Sequence, residues 1–200
     1  MYITVFSGTN GSSINELSNP HGLARNSISG ALYIADSGNH RVMSYLSGVP
    51  TVVTGGNGSG TNNGQLNSPN GLAFDSSSNS LYIVNYASHN IVRWVLSESS
   101  WTLVAGSPTG VGSSQSTMLY YPIGLTLDAM GNMYVADYGN QRIQLFMRGK
   151  LNGTTIAGVT STAGNHAYLF YNPYGVALDS DFNLYVADTS NQRIQKFFRY

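Results

Sequence analysis

The sequence predicts an all-β protein of the propeller type, on three observations. One unit of about 50 residues recurs four times, as propeller blades do. Each unit divides into four short runs rich in β-branched and aromatic residues, and Gly, Asn and Ser separate the runs. No window carries a 3.6-residue apolar period of helical length.

The four runs follow in order. The first begins Pro-x-Gly: Pro20-His-Gly-Leu-Ala-Arg-Asn26, Pro69-Asn-Gly-Leu-Ala-Phe-Asp75, Pro122-Ile-Gly-Leu-Thr-Leu-Asp128 and Pro173-Tyr-Gly-Val-Ala-Leu-Asp179. These prolines are 49, 53 and 51 residues apart. The second run is Leu32-Tyr-Ile-Ala-Asp36, Leu81-Tyr-Ile-Val-Asn85, Met133-Tyr-Val-Ala-Asp137 and Leu184-Tyr-Val-Ala-Asp188. The third starts at Arg41, Asn90, Arg142 and Arg193. The fourth ends in glycine: Thr51-Val-Val-Thr-Gly55, Thr102-Leu-Val-Ala-Gly106 and Thr154-Thr-Ile-Ala-Gly158. An earlier copy, Ile3 to Gly8, opens the chain.

The inner runs are apolar on both faces, which suits sheets packed face to face. Gly22, Gly71, Gly124 and Gly175 recur where the first strand starts, and backbones are expected to crowd there. The chain is read as one domain over residues 1–200. Its repeats cover about 9–55, 56–106, 107–158 and 159–200, with 1–8 completing the last blade. The blades then form either a closed four-bladed ring or an arc of a larger one.

These blocks, together with Asn-x-Arg-(Ile/Val) at the start of the third run, resemble NHL repeats over nearly the whole chain. The resemblance implies a propeller, usually six-bladed. It does not imply one activity, because the family includes protein-binding scaffolds, RNA-binding regulators, receptor sensor domains and a related metal-dependent amidating lyase.

Composition narrows the classes. The chain has no cysteine, so a disulfide framework, a thiolate metal site and a cysteine nucleophile are excluded. Lys plus Arg equals Asp plus Glu at nine each, which argues against binding nucleic acid by bulk electrostatics. No apolar run reaches the roughly 18 residues of a membrane span. The first six residues are too short and too uncharged for a signal peptide. A Ser/Asn/Gly/Thr-rich surface leans towards an extracellular setting, so the compartment stays unassigned. Asn10-Gly-Ser12, Asn57-Gly-Ser59 and Asn152-Gly-Thr154 fit the glycosylation acceptor pattern, although Asn-Gly is also a turn sequence.

Asp36, Asp137 and Asp188 each precede an arginine by five residues: Arg41, Arg142 and Arg193. They are expected to form structural ion pairs across the turn between the second and third strands. In the second repeat both charges vanish together, to Asn85 and Asn90, as a pair requires. Asn39, Asn140 and Asn191 are assigned to the turn, as residues that tolerate positive φ. Asp75, Asp128 and Asp179 are expected to accept turn amides.

The turn between strands two and three shares a face with the loop before each Pro-x-Gly. Loops carried on a rigid scaffold are where recognition sits. The partner-binding face is assigned to His21, Asn70, Tyr86, Tyr120, Tyr121, Ile123, Tyr138, Tyr171 and Tyr174. Concentrated tyrosines suit recognition of a protein, peptide or glycan. Tyr33, Tyr82, Tyr134 and Tyr185 share one slot and are structural. The histidines His21, His40, His89 and His166 do not converge by repeat position, and His40 and His89 are taken as solvent-facing. No metal, cofactor or catalytic residue is assigned. The expected function is a non-catalytic binding scaffold, a monomer if the ring closes and otherwise part of a longer chain or an oligomer. A metal-dependent propeller enzyme and an RNA-binding domain are the alternatives.

Overall fold

The repeat pattern folds into four antiparallel sheets in a computed structural model that describes residues 5–6 and 8–199. The first sheet holds β1 (Pro20–Arg25), β2 (Leu32–Asp36), β3 (Arg41–Leu46) and β4 (Val49–Gly55), in that order. The second holds β5 (Pro69–Asp75), β6 (Ser80–Asn85), β7 (Asn90–Val95) and β8 (Trp101–Gly106). The third holds β9 (Pro122–Leu127), β10 (Met133–Asp137), β11 (Arg142–Phe146) and β12 (Gly153–Gly158). The fourth holds β13 (Pro173–Leu178), β14 (Leu184–Asp188) and β15 (Arg193–Phe197). Strands adjacent in sequence are adjacent in each sheet, so the protein is all-β and consists of four propeller blades. Among the described residues no helix is long and apolar enough to cross a membrane.

The expected fourth strand of the last blade, Ile3 to Phe6, lies partly outside the described residues: Ile3 and Thr4 are not described. Val5 and Phe6 are in bends, and the Phe6 ring lies 6.0 Å from that of Tyr45. The last blade is therefore three-stranded among the described residues.

The chain divides into two compact units, one of Met1–Ser88 with Val92–Thr102, the other of His89–Ile91 with Leu103–Tyr200. Within the first unit β1 lies against β5, and Tyr33, Ala35 and Val42 of one blade meet Leu72, Leu81, Ile83, Val92 and Trp94 of the next. Within the second unit β9 lies against β13, and Ala136, Ile143 and Ala157 meet Leu184, Val186 and Phe170. Period-2 alternation thus buries both faces of an inner sheet, which is why its strands read as continuous apolar runs.

The recurrent glycines split into two cases. A Cβ on Gly22 would strike the Asn70 carbonyl oxygen, and one on Gly124 would strike that of Tyr174. Backbone crowding between inner strands thus accounts for both. Gly175 differs: a Cβ there would meet only the Ala187 methyl, at an ordinary 3.7 Å.

Candidate functional site

Each unit presents, at the end of its sheets, the loops that precede the Pro-x-Gly strands and the 3-10 turns that follow the second strands. These turns are Ser37–Asn39, Tyr86–Ser88, Tyr138–Asn140 and Thr189–Asn191. Strand register brings the elements together, since Asp137 stands opposite both Pro122 and Arg142, and Asp188 opposite both Pro173 and Arg193.

A polar constellation holds each loop. The Arg142 Nε donates to Asp137 at 2.8 Å, while its other nitrogens donate to the carbonyls of Ser114, Gln115 and Met118. Asp137 also accepts the Tyr120 amide at 2.7 Å and Asn140 Nδ2 at 2.8 Å. Arg193 repeats this with Asp188 at 2.8 Å and the carbonyls of Asn165, His166 and Leu169. Arg41 does so with Asp36 at 2.6 Å and the carbonyls of Ser12, Ser13 and Glu16. The guanidinium fork fits this task because its five donors serve a carboxylate and a loop at once. In the second blade the neutral replacements keep part of the work: Asn85 accepts the Asn67 amide at 3.3 Å, and Asn90 donates to the Ser107 carbonyl at 2.8 Å.

The turn assignment needs a correction. Positive φ falls not on Asn39, Asn140 and Asn191 but one residue later, on His40, Gln141 and Gln192, at 52°, 58° and 54°. The asparagines instead donate to the Asp of the pair and to loop carbonyls, Gly11, Ser113 and Gly164. Asp75, Asp128 and Asp179 do accept turn amides, from Ser77, Met130 and Asp181. Asn183 leads the bonds that hold Asp179 down to about 2.

Sequence position missed the role of the left-handed residue. His40 Nδ1 accepts the Ser68 amide of the next blade at 3.0 Å. His89 Nδ1 accepts that of Tyr121 at 2.9 Å, and Gln141 Oε1 that of Asn172 at 2.7 Å. Each is a clasp between consecutive blades, made to the residue just before the Pro-x-Gly proline. His89 is buried and His40 half-buried, which overturns their reading as solvent-facing. The signal was one slot filled only by acceptor-bearing side chains, His, His, Gln and Gln.

The second unit carries six of the nine residues assigned to the binding face. Tyr120, Tyr171 and Tyr174 are exposed at 41%, 47% and 38%, and Tyr121 and Tyr138 are half-buried. Tyr120 and Tyr121 lie 4.6 Å apart by ring centroid and both meet the His89 ring, at 5.3 and 4.4 Å. Tyr120 also receives the Gly139 amide on its carbonyl, beside Tyr138, and Tyr171 receives that of Ser190. Ile123 is a correction: at 4% exposure it is buried and offers no surface to a partner. His21, Asn70 and Tyr86 belong to the first unit and form a separate set, exposed at His21 and half-buried at the other two. Burial holds the His89 imidazole below its ordinary value, so the neutral form that can accept the Tyr121 amide is favoured. Among the described residues no group of three or more His, Asp or Glu is placed to hold a metal.

Comparison with known proteins places the repeats. The NHL repeat matches residues 17–43, 119–146 and 170–197, the three blades that carry an Asp–Arg pair; the chain carries NHL repeats. No curated protein matches the sequence. Among solved structures, an auxiliary nutrient binding protein from Bacteroides thetaiotaomicron is 20% identical with a TM-score of 0.71, over 92% of this chain and 49% of that one. A gluconolactonase from Xanthomonas campestris is 17% identical with a TM-score of 0.69, over 90% of this chain and 58% of that one. A streptogramin B lyase is 14% identical with a TM-score of 0.64, over 90% of this chain and 51% of that one. The chain spans about half the length of the first of these structures, and at such identities the likeness is one of fold.

Proposed function

From the premise that this chain carries NHL repeats, we propose that it is a non-catalytic binding protein. Its tyrosine-bearing loop face in the second unit takes a protein, peptide or glycan ligand. The observation that carries this reading is the pairing of exposed Tyr120, Tyr171 and Tyr174 with a rigid support. Tyr120 and Tyr171 each donate a backbone amide at 2.7 Å to the Asp of a blade's ion pair. Tyrosine offers a large amphipathic surface with few rotamers to lose, and a fixed backbone lowers the entropy cost of binding. The nutrient-binding structures among the fold relatives fit this reading.

Screening the protein on peptide and glycan arrays tests it. Tyr120→Ala with Tyr174→Ala should weaken any ligand found by at least about tenfold while the melting temperature holds, as loss of two aromatic anchors does. Unchanged binding contradicts the assignment. An RNA-binding role would instead give affinity that falls steeply with salt.

A further inference from the structure

We propose that the ligand of the second unit's loop face is a neutral glycan, one sugar ring of which stacks on Tyr120. This rests on the reading of that face as the binding site and narrows its ligand to one class.

The Tyr120 ring is held as a fixed platform. A Cβ on Gly112 would strike its Cδ2 edge and one on Gly139 its Cδ1 edge, so both glycines lie directly against the ring. The rings of His89 and Tyr121 lie against it at 5.3 and 4.6 Å between centroids. Even so, 41% of the residue stays exposed. A ring confined on both edges and still open to solvent has little rotamer freedom left to lose when a ligand covers it. Ser18 fills the same slot in the first blade, where Gly38 meets a hydroxymethyl group and not a ring.

The surroundings of the platform are polar and almost without charge. Residues 107–121, 138–141, 159–172 and 189–192 form this face, and none of these segments contains Asp, Glu, Lys or Arg. His166 is their one histidine. The charges next to them are Asp137 with Arg142 and Asp188 with Arg193, each pair closed on itself at 2.8 Å. Charge gathers at the opposite end of the same blades, at Asp128, Arg148, Lys150, Asp179 and Asp181. A chain of neutral groups joins the two tyrosine-bearing blades. Gln141 accepts the Asn172 amide at 2.7 Å and donates to its side-chain carbonyl at 3.3 Å. Asn172 Nδ2 donates in turn to Ser190 Oγ at 2.9 Å. Ser190 is exposed, so its own hydroxyl proton can be given to a ligand.

A sugar ring matches this chemistry. Its axial C–H groups carry slight positive charge and sit on the negative face of an aromatic ring, while its hydroxyls need neutral donors and acceptors round the rim. A charged ligand would find only closed ion pairs and His166 to answer it.

The test is an array of neutral, sialylated and sulfated glycans probed beside a peptide library, with titration calorimetry on the hits. Neutral glycans should bind, and their affinity should change less than about twofold between about 0.05 and 1 M salt, because no charge pair is there to be screened. Tyr120→Phe keeps the platform and should retain binding, whereas Tyr120→Ala should weaken it at least about tenfold. The melting temperature of each variant reports that it folds. Hits confined to peptides or to charged glycans, and lost in Tyr120→Ala, overturn the neutral-glycan assignment and leave the binding face standing. Loss of glycan binding in Tyr120→Phe, or none in Tyr120→Ala, overturns the stacking role. No bound ligand of any class overturns both the glycan assignment and the binding face.

Discussion

The third and fourth blades carry the same polar constellation in different surroundings. Asp137 and Asp188 each bind an arginine, an asparagine and a backbone amide at nearly the same distances. Burial pushes the Asp137 carboxyl above its ordinary value, against the pull of the Tyr120 amide, Asn140 and Arg142. Burial also acts on Asp188, but the Tyr171 amide, Asn191, Arg193 and Gln195 together hold that carboxyl below its ordinary value. Neighbours make the difference. The Arg142 side chain is 3% exposed and that of Arg193 30%. Gln195 donates to Asp188 at 3.1 Å, whereas Gln144 is drawn to Thr155 of β12 at 3.0 Å, a strand with no counterpart in the described fourth blade. One sequence motif therefore yields two electrostatic sites, depending on what covers it.

The largest expected effect is on the buried pair. Asp137→Ala should cost about 3–5 kcal/mol in urea unfolding, because it strands a buried guanidinium. Asp188→Ala should cost clearly less, since Arg193 reaches water. Equal losses would break the comparison. Next come the paired isoleucines, Ile143 fully buried and Ile194 68% exposed. Ile143→Ala should cost about 2–5 kcal/mol, as core truncations do. Ile194→Ala should stay within about 0.5 kcal/mol, as at ordinary surface positions. A large loss at Ile194 in the monomer would mean that its face is covered.

The His89 clasp gives a smaller, pH-dependent effect. Its folded value is lowered, so the unfolded chain takes up the proton first. The clasp's contribution is then complete above about 6.5, the unperturbed histidine value, and is lost as pH falls below it. Stability measured between pH 7.5 and 5 should drop in the native chain by more than in His89→Gln, because Gln141 shows that glutamine makes the same bond. Parallel curves would remove His89 from this role.

The repeat made much of this legible. Pro-x-Gly, the Tyr slot and the Asp–Arg spacing point directly to strands, inner crowding and ion pairs, because each blade solves the same packing problem. The clasp was hidden because His and Gln share an acceptor atom and not a residue type. The burial of Ile123 was hidden because its slot also holds His21, Asn70 and Tyr174, which point to a surface. The exposure of Ile194 and Pro20 could not be read at all: a repeat slot fixes a side chain's direction, and its cover comes from the neighbouring blade.

The most direct test is the titration of the two carboxyls, followed by NMR of the side-chain carbons. Asp137 should titrate above the usual Asp value of about 3.9 and Asp188 below it. By linkage, Asp188 then adds stability above that value which is lost as pH falls, and Asp137 does the reverse. Coincident titrations, or the opposite order, would contradict the claim that cover, together with the Gln195 bond to Asp188, separates two like motifs.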